Sequence, residues 1–393
     1  MPSSASPEIV TLGCRLNLAE SEAIRAAAGG RPLAVVNSCA VTGEAVKQTR
    51  AAVRRLRRTH PERELVVTGC AATLDPASFA AMPEVDLVVP NSAKATPATW
   101  GGGAALPRFA GHARALLPVQ TGCDHACTFC AIRHARGPSR SVPLRDVLEA
   151  ALRLAQDHDE IVLTGVDLTS YRAEEAGLGF LCEALLAALP SRVRLRLSSI
   201  DSIEIDDALF AVLTQEPRMA PHVHLSLQSG DDLILKRMRR RHSRADAVRL
   251  VERLKAARTS IAVGADLIAG FPTEGDVAFA NTLALLDDCD IVHAHIFPFS
   301  PREGTSAARM PQVPTEVARA RAAILRERAA TRKARWLAGK VGATLDVLVE
   351  RPCDRGHSAE FAEVRLPTPA LVGTLLPVRV TAATATHLIG EPV

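Results

Sequence analysis

The sequence predicts an α/β protein in three parts. They are an N-terminal parallel α/β domain over residues 7–100, a partial (β/α)6 barrel over 112–338, and a small C-terminal β-barrel over 340–393. Three observations lead to this. Short apolar runs alternate with helical stretches along most of the chain, the pattern of parallel sheets with right-handed crossovers. Residues 91–118 break that pattern with Pro97, Gly101-Gly102-Gly103, Pro107 and Gly111, a turn density expected of a linker. From about Val341 the helical periodicity stops and short strand-like runs take over.

Taken in order, residues 1–7 are rich in Pro, Ser and Ala and are expected to fray. Three apolar runs follow, each ending at a cysteine: Ile9 to Gly13 before Cys14, Leu33 to Ser38 before Cys39, and Leu65 to Gly69 before Cys70. Each leads into a helical stretch, over Leu18–Ala28, Gly43–Thr59 and Asp75–Met82. Strands of a parallel sheet point the same way, so the three thiols should emerge at one edge, where such sheets bind ligands. A shared metal centre and three separate buried thiols are both compatible with this pattern.

In the second part, strand candidates are Leu116–Thr121, Glu160–Leu168, Arg192–Ile200, His222–Leu227, Ser260–Ile268 and Asp290–Phe297. Helices are expected at Leu144–Gln156, Leu178–Leu189, Ile205–Leu213, Arg244–Ala257, Asp276–Asp287 and Thr315–Leu337. Six units fall short of the eight of a closed barrel. The strand ends carry glycine, hydroxyl, amide and carboxylate groups, including Gly165, Ser198, Gln228 and Asp266, at the end where such folds build sites. The third part is expected to hold strands at Leu345–Glu350, Ala359–Leu366 and Leu371–Thr381, with turns at Pro352 and Gly356.

Composition narrows the function classes. The 393 residues are 47% apolar and 23% charged, ordinary for a globular protein. Aromatics are only 3%, so stacking platforms are not expected to dominate any nucleic-acid contact. A net charge of +4 does not by itself argue for nucleic acid. No secretory signal or 18-residue apolar run is seen, so no membrane association is expected and the cytoplasm is the expected location. Nine cysteines in that setting point to thiols used as ligands in a reducing compartment.

The strongest chemical signal is Cys123-Asp-His-Ala-Cys127-Thr-Phe-Cys130, a C-x3-C-x2-C loop just after the first barrel strand. Thiolates are the preferred ligands of iron–sulfur clusters, and three in one tight loop can hold three irons of a [4Fe–4S] cube. Structural zinc is the main alternative, although zinc sites usually pair C-x2-C arms with a distant second half.

This loop, with Arg136-Gly137 and Ser139-Arg140-Ser141 behind it, resembles the cluster loop of radical S-adenosylmethionine (SAM) enzymes, in particular the methylthiotransferases. The phrases Thr11-Leu12-Gly13-Cys14-Arg15-Leu16-Asn17 with Glu20-Ser21-Glu22, Asn37-Ser38-Cys39, and Thr68-Gly69-Cys70 resemble the N-terminal domain of the same family. The first is most similar to the branch acting on threonylcarbamoyladenosine in tRNA. Gly356-His357-Ser358 with Phe361 resembles the TRAM module, the family's RNA-binding tail. One departure is Ala131-Ile132-Arg133-His134, where the family has a more apolar segment with proline and tyrosine.

The resemblance implies two [4Fe–4S] clusters, on Cys14, Cys39 and Cys70 and on Cys123, Cys127 and Cys130, with SAM as the second cofactor. It makes Phe129, Gly165, Ser198, Gln228 and Asp266 the candidate SAM contacts. No side-chain acid or base is expected to be catalytic: a 5′-deoxyadenosyl radical would remove hydrogen from an unactivated C–H bond. The implied activity is a transferase adding a methylthio group to C2 of N6-threonylcarbamoyladenosine at position 37 of tRNA. An electron donor and a sulfur source are implied as further partners. Alternatives are the same chemistry on isopentenyladenosine or a ribosomal protein, a zinc- and RNA-binding protein, and a cluster protein that only passes electrons.

Charge adds a candidate RNA surface. Lys236, Arg237, Arg239, Arg240 and Arg241 form a dense run that could meet RNA phosphates. Groups at Arg54–Arg58 and along the last helix read equally as solvated faces. Cys182 reads as a core thiol and Asp287, Asp288 and Asp290 as a loop; His293 and His295, on one side of a strand, could face the barrel cavity but read better as hydrogen-bonded core histidines.

Overall fold

A computed structural model describes residues 6–102, 107, 109–174 and 176–393. Residues 1–5 of the fraying segment, and Gly103 and most of residues 104–108 of the linker, lie outside the described residues.

The N-terminal sheet is fully parallel, in the order β1 (Glu8–Thr11), β2 (Leu33–Ser38), β3 (Glu64–Gly69) and β4 (Leu87–Val89). Its helices are α1 (Arg15–Ala28), α2 (Gly43–Thr59), α3 (Cys70–Leu74), α4 (Pro76–Ala80) and α5 (Asn91–Lys94). The helix expected over 75–82 is the short α4, which Asp75 caps by accepting from Ser78 N with Pro76 at its first position, and a separate α3 precedes it. The run Leu33–Ser38 is buried throughout, as a strand covered on both faces requires.

The second part is a partial barrel of six units. Its first strands are β5 (Ala115–Pro118), β6 (Gln120–Thr121), β7 (Arg140–Ser141), β8 (Glu160–Thr164), β9 (Arg194–Leu197) and β10 (Ser199–Ile200). β11 (His222–Gln228), β12 (Ala262–Ala269) and β13 (Ile291–Pro298) complete it. The parallel ladders run β5-β8-β9 and β10-β11-β12-β13, bridged by Leu195 and Met219. Its helices are α6 (Ile132–Arg136), α7 (Leu144–Leu154), α8 (Leu178–Ala188), α9 (Asp207–Gln215), α10 (Asp232–Met238), α11 (Arg244–Ala257), α12 (Asp276–Asp288) and α13 (Thr315–Ala338). α11 keeps its expected bounds because Ser243 and Asp246 form a capping box. Asp287 and Asp288 belong to α12, not to a loop, and Asp287 takes ion pairs from Arg328 and Arg332 on α13.

The third part is a closed five-stranded barrel of β14 (Thr344–Glu350), β15 (Arg355–Ser358), β16 (Glu363–Arg365), β17 (Leu375–Ala383) and β18 (Leu388–Pro392), in the order β14-β15-β16-β18-β17. Gly356, expected in a turn, lies inside β15: a Cβ there would sit 2.0 Å from the Leu348 carbonyl oxygen on β14. Residues 359–362, expected as strand, form the turn instead.

Glu160 ties the partial barrel to this small barrel. Its carboxylate is fully buried and accepts hydrogen bonds from Arg114 (2.8 Å), Arg194 (2.8 Å) and Arg196 (3.0 Å). Arg114 also reaches Glu350 at 2.5 Å, and Arg196 the Ser358 carbonyl at 3.4 Å. Burial would raise the Glu160 carboxyl, but the three guanidiniums hold it well below the carboxylate range. Glu160→Gln would leave three cations around a neutral amide. It is expected to destabilise the fold by about 3–5 kcal/mol, read as a lower denaturant midpoint. A midpoint equal to the wild type would remove the anchoring role.

Candidate metal and cofactor site

Cys14 caps the N-terminus of α1, Cys39 follows β2, and Cys70 opens α3 directly after β3. All three thus leave the same edge of the parallel sheet. Gly13 and Gly69 precede two of them with φ of +93° and +94°, values that favour glycine. A Cβ on Gly13 would lie 2.7 Å from Cys39 Sγ, and one on Gly69 2.4 Å from the Ser38 carbonyl oxygen.

Asn17 closes the triad's scaffold. Its amide donates to the carbonyls of Leu12 (2.8 Å) and Ser38 (2.9 Å), joining the ends of β1 and β2. Asn37 returns a bond to the Asn17 carbonyl at 2.8 Å, and Ser38 Oγ accepts from Ala72 N at 3.1 Å.

The second triad is held just as firmly. Gln120, almost fully buried, donates to the Gly122 carbonyl (2.8 Å) and accepts from the amides of Val166 (3.0 Å) and Asp167 (2.9 Å). This fixes the root of the cysteine loop to the end of β8. Gly122 has φ +79°, and a Cβ there would lie 1.9 Å from the Pro138 carbonyl oxygen. Thr128 fastens the loop's middle: its N–H donates to the Met238 carbonyl (3.1 Å) and its hydroxyl to the Arg237 carbonyl (2.9 Å).

N–H groups converge on the sulfurs: Val41 N on Cys39 (3.5 Å), His125 N on Cys123 (3.4 Å) and Ile132 N on Cys130 (3.4 Å). Asn91 Nδ2 and Arg240 Nη1 approach Cys70 and Cys127, each at 3.7 Å. Burial pushes the Cys123 thiol up to about 12 and raises Cys39 and Cys130 too. Bare thiols of this kind are neutral near pH 7 and poor nucleophiles. Surrounded by N–H donors, they suit a metal that displaces their protons.

Both triads line one cavity of about 1030 Å³. Phe129, Gly165, Ser198, Gln228 and Asp266 line it as well. Ser198 Oγ is buried with no partner among the described residues, and Gln228 is held at φ +69°. His224 and His295 hydrogen-bond the Asp266 carboxylate at 3.1 and 3.2 Å. Burial would raise this carboxyl, but the two imidazoles hold it well below its usual range. His293 and His295 both line the cavity, the less favoured of the two placements read from the sequence, and His293 is also hydrogen-bonded, to the Glu360 carbonyl at 3.1 Å.

The basic run divides. Lys236 and Arg239 are exposed, and Arg239 turns the chain with φ +58°. That turn sends Arg240 inward, to Asp201 (2.9 Å) and the Ser226 carbonyl (2.7 Å), and so away from an RNA-facing surface. Arg237 donates to Thr273 (2.5 Å), and Arg241 pairs with Glu204 (2.5 Å). Cys182 is a core thiol, as expected.

Sequence reasoning gave no role to Asn17, Gln120 or Arg15. The Cys-x2-Asn spacing offered a signal for the first, since it puts Asn17 one turn beyond Cys14 on the same helix side. Arg15 reaches into the cavity with its guanidinium 5.6 Å from the Phe361 ring centre. Burial, then Arg196 and Arg114, lower it to about 10, so it stays charged at neutral pH.

A partial parallel barrel whose strand ends open onto a cavity lined by six cysteines is thus the class that the geometry defines. Residues 117–286 match the radical SAM superfamily, and 7–90 match the uncharacterized protein family UPF0004. The threonylcarbamoyladenosine tRNA methylthiotransferase MtaB of Rickettsia prowazekii is 39% identical, with 95% of this chain and 94% of that protein aligned. The tRNA-2-methylthio-N(6)-dimethylallyladenosine synthase of Cereibacter sphaeroides is 32% identical over 98% of this chain and 97% of that protein. The radical SAM methyltransferase TsrM of Kitasatospora setae shares the fold, with TM-score 0.51 and 14% identity over 71% of this chain and 66% of that one. The chain belongs to the methylthiotransferase family of radical SAM enzymes, which use a [4Fe–4S] cluster and SAM. Among the described residues no helix is long and apolar enough to cross a membrane.

Arg136, on α6 beyond Cys130, makes the join between the triads. It donates to Glu20 at 2.7 and 2.9 Å and to Asn17 Oδ1 at 2.6 Å. Lys94 adds a second cation on Glu20 at 2.5 Å. Burial would raise the Glu20 carboxyl, but Arg136 and Lys94 bring it below its ordinary 4.5. A depressed carboxylate stabilises the fold fully above its unfolded pKa and loses that contribution as pH falls through the folded value. Stability should therefore decline below about pH 4.5, and Glu20→Gln should flatten that decline as well as lower stability at pH 7. Denaturant midpoints across pH check this; an unchanged acid slope in the variant would count against the assignment.

Proposed function

We propose that this protein adds a methylthio group to C2 of N6-threonylcarbamoyladenosine at position 37 of tRNA. The observation that carries the proposal is the single cavity, about 1030 Å³, lined by both cysteine triads. Its volume is of the size that encloses a cofactor and part of a substrate.

In this reading Cys123, Cys127 and Cys130 hold one [4Fe–4S] cluster and Cys14, Cys39 and Cys70 a second. With SAM bound, the first supplies one-electron chemistry able to break an unactivated C–H bond. Phe129, Gly165, Ser198, Gln228 and Asp266 line the SAM pocket, where Ser198 Oγ offers a free hydrogen-bonding group. The backbone N–H groups of Val41, His125 and Ile132 would steady the Cys39, Cys123 and Cys130 sulfurs in this role. An external reductant and a sulfur source complete the requirements, and the cytoplasm is where tRNA would be met. The division at 7–100, 112–338 and 340–393 assigns one triad to each of the first two parts and RNA contact to the third. Lys236 and Arg239 are the members of the basic run free to meet phosphate.

The relative named for dimethylallyladenosine supports a second reading, in which the N6 substituent is an isopentenyl group. Mass spectrometry of tRNA nucleosides from a deletion strain separates the two by which methylthio nucleoside disappears. The loss of neither would end the tRNA assignment.

Anaerobic reconstitution is expected to load about eight irons per chain, four for each cluster. Cys127→Ala should retain about half the iron and lose reductive SAM cleavage. Cleavage surviving in that variant, or wild-type iron near four, would contradict the two-cluster assignment.

A further inference from the structure

Part of the cavity wall is built by residues outside both cysteine triads and outside the candidate SAM contacts. Three parts of the chain build it: Arg15 from α1, His222 and His293 from the partial barrel, and Phe361 from the small barrel. The Phe361 ring stacks on His357 at 4.5 Å and on His222 at 5.4 Å, and meets His293 edge-on at 6.1 Å. Lys333 on α13 lines the same cavity, close enough to act on His293.

Arg15 is the odd member of this part of the wall. Arg114 and Arg196 also approach the Phe361 ring, at 5.6 and 5.0 Å, but both bind Glu160. Elsewhere on the wall Arg136 binds Glu20 and Arg240 binds Asp201. Among the described residues Arg15 and Lys333 have neither an ion pair nor a side-chain hydrogen bond. A half-buried guanidinium crowded by other cations is costly unless an anion joins it. The neighbouring His222 and His293 are held neutral, chiefly by burial, so neither adds a charge beside Arg15. A compact, singly charged acceptor beside an aromatic wall matches that composition.

We infer that Arg15, assisted by Lys333, receives the carboxylate of the threonylcarbamoyl group and so selects this substituent over an uncharged one. The inference rests on the proposed function above. An isopentenyl group has no atom that could accept these hydrogen bonds, and it would leave both cations without an anion. Arg15 and Lys333 are substrate-positioning residues here and take no part in bond breaking.

The test uses reconstituted full-length protein and three anticodon stem-loops. They carry at N6 the threonylcarbamoyl acid, its methyl ester, or an isopentenyl group. Equilibrium binding by fluorescence anisotropy is the main readout, with KM and kcat beside it. Wild type is expected to bind the acid about 10- to 100-fold more tightly than the ester, the range for a charged hydrogen bond. Arg15→Gln should erase most of that preference through KM, and Arg15→Lys should keep part of it. Iron content and visible absorption should stay at wild-type values in both variants. Should Arg15→Gln fail to fold or load, the wild-type acid–ester comparison and Lys333→Gln still decide. Equal binding of acid and ester by wild type would overturn the inference and leave these cations to a backbone phosphate. So would an undiminished preference in Arg15→Gln. If wild type instead modified only the isopentenyl stem-loop, the failure would lie in the proposed function itself.

Discussion

The guanidinium of Arg136 sits between two acceptors on α1, with both Glu20 oxygens and the Asn17 amide oxygen within 2.9 Å. Glu20 and Asn17 lie just beyond Cys14, and Arg136 just beyond Cys130. The interaction therefore joins the two segments that carry the cysteine triads, at a point where Arg136 and Asn17 are buried. In such surroundings a bidentate, charge-assisted pair is directional as well as strong. It sets the facing of two sheets that have no strand in common. Lys94 on the same carboxylate, and Asn91 donating to the Ala135 carbonyl at 2.9 Å, brace the joint from the N-terminal side.

Glycines then allow what the ion pair requires. Gly13, Gly69 and Gly122 each precede a cysteine and adopt positive φ, and each has backbone or sulfur where a Cβ would go. The thiols can thus approach one another and the sheet edge without a strained backbone. The small β-barrel closes the far side of the same space, with Phe361 inserted among the cavity histidines and the Glu160 cluster behind it. Function in this chain belongs to the junction of the three parts more than to any one of them.

Much of this was readable in the sequence. Parallel strands, the six barrel units and the single edge for Cys14, Cys39 and Cys70 follow from alternating patterns and from the parallel-sheet rule. What escaped has local causes. β4 has only three residues, Leu87–Val89, too few for a periodicity to show. Gly356 looks like a turn residue, yet it is needed in β15 because β14 passes too close for any side chain. Arg240 looks like a surface cation, but the left-handed turn at Arg239 carries it inward to Asp201. Pairings such as Arg136 with Glu20 span 116 residues, and no window of sequence reports them.

The central claim is that both thiol triads open onto one space. Electron paramagnetic resonance of the reduced, reconstituted protein tests it most directly. Two clusters sharing a cavity of about 1030 Å³ should give a spectrum broadened by magnetic coupling. The coupling should vanish when Cys39 or Cys127 is replaced by Ala. A wild-type spectrum equal to the sum of those two single-cluster spectra would contradict the account.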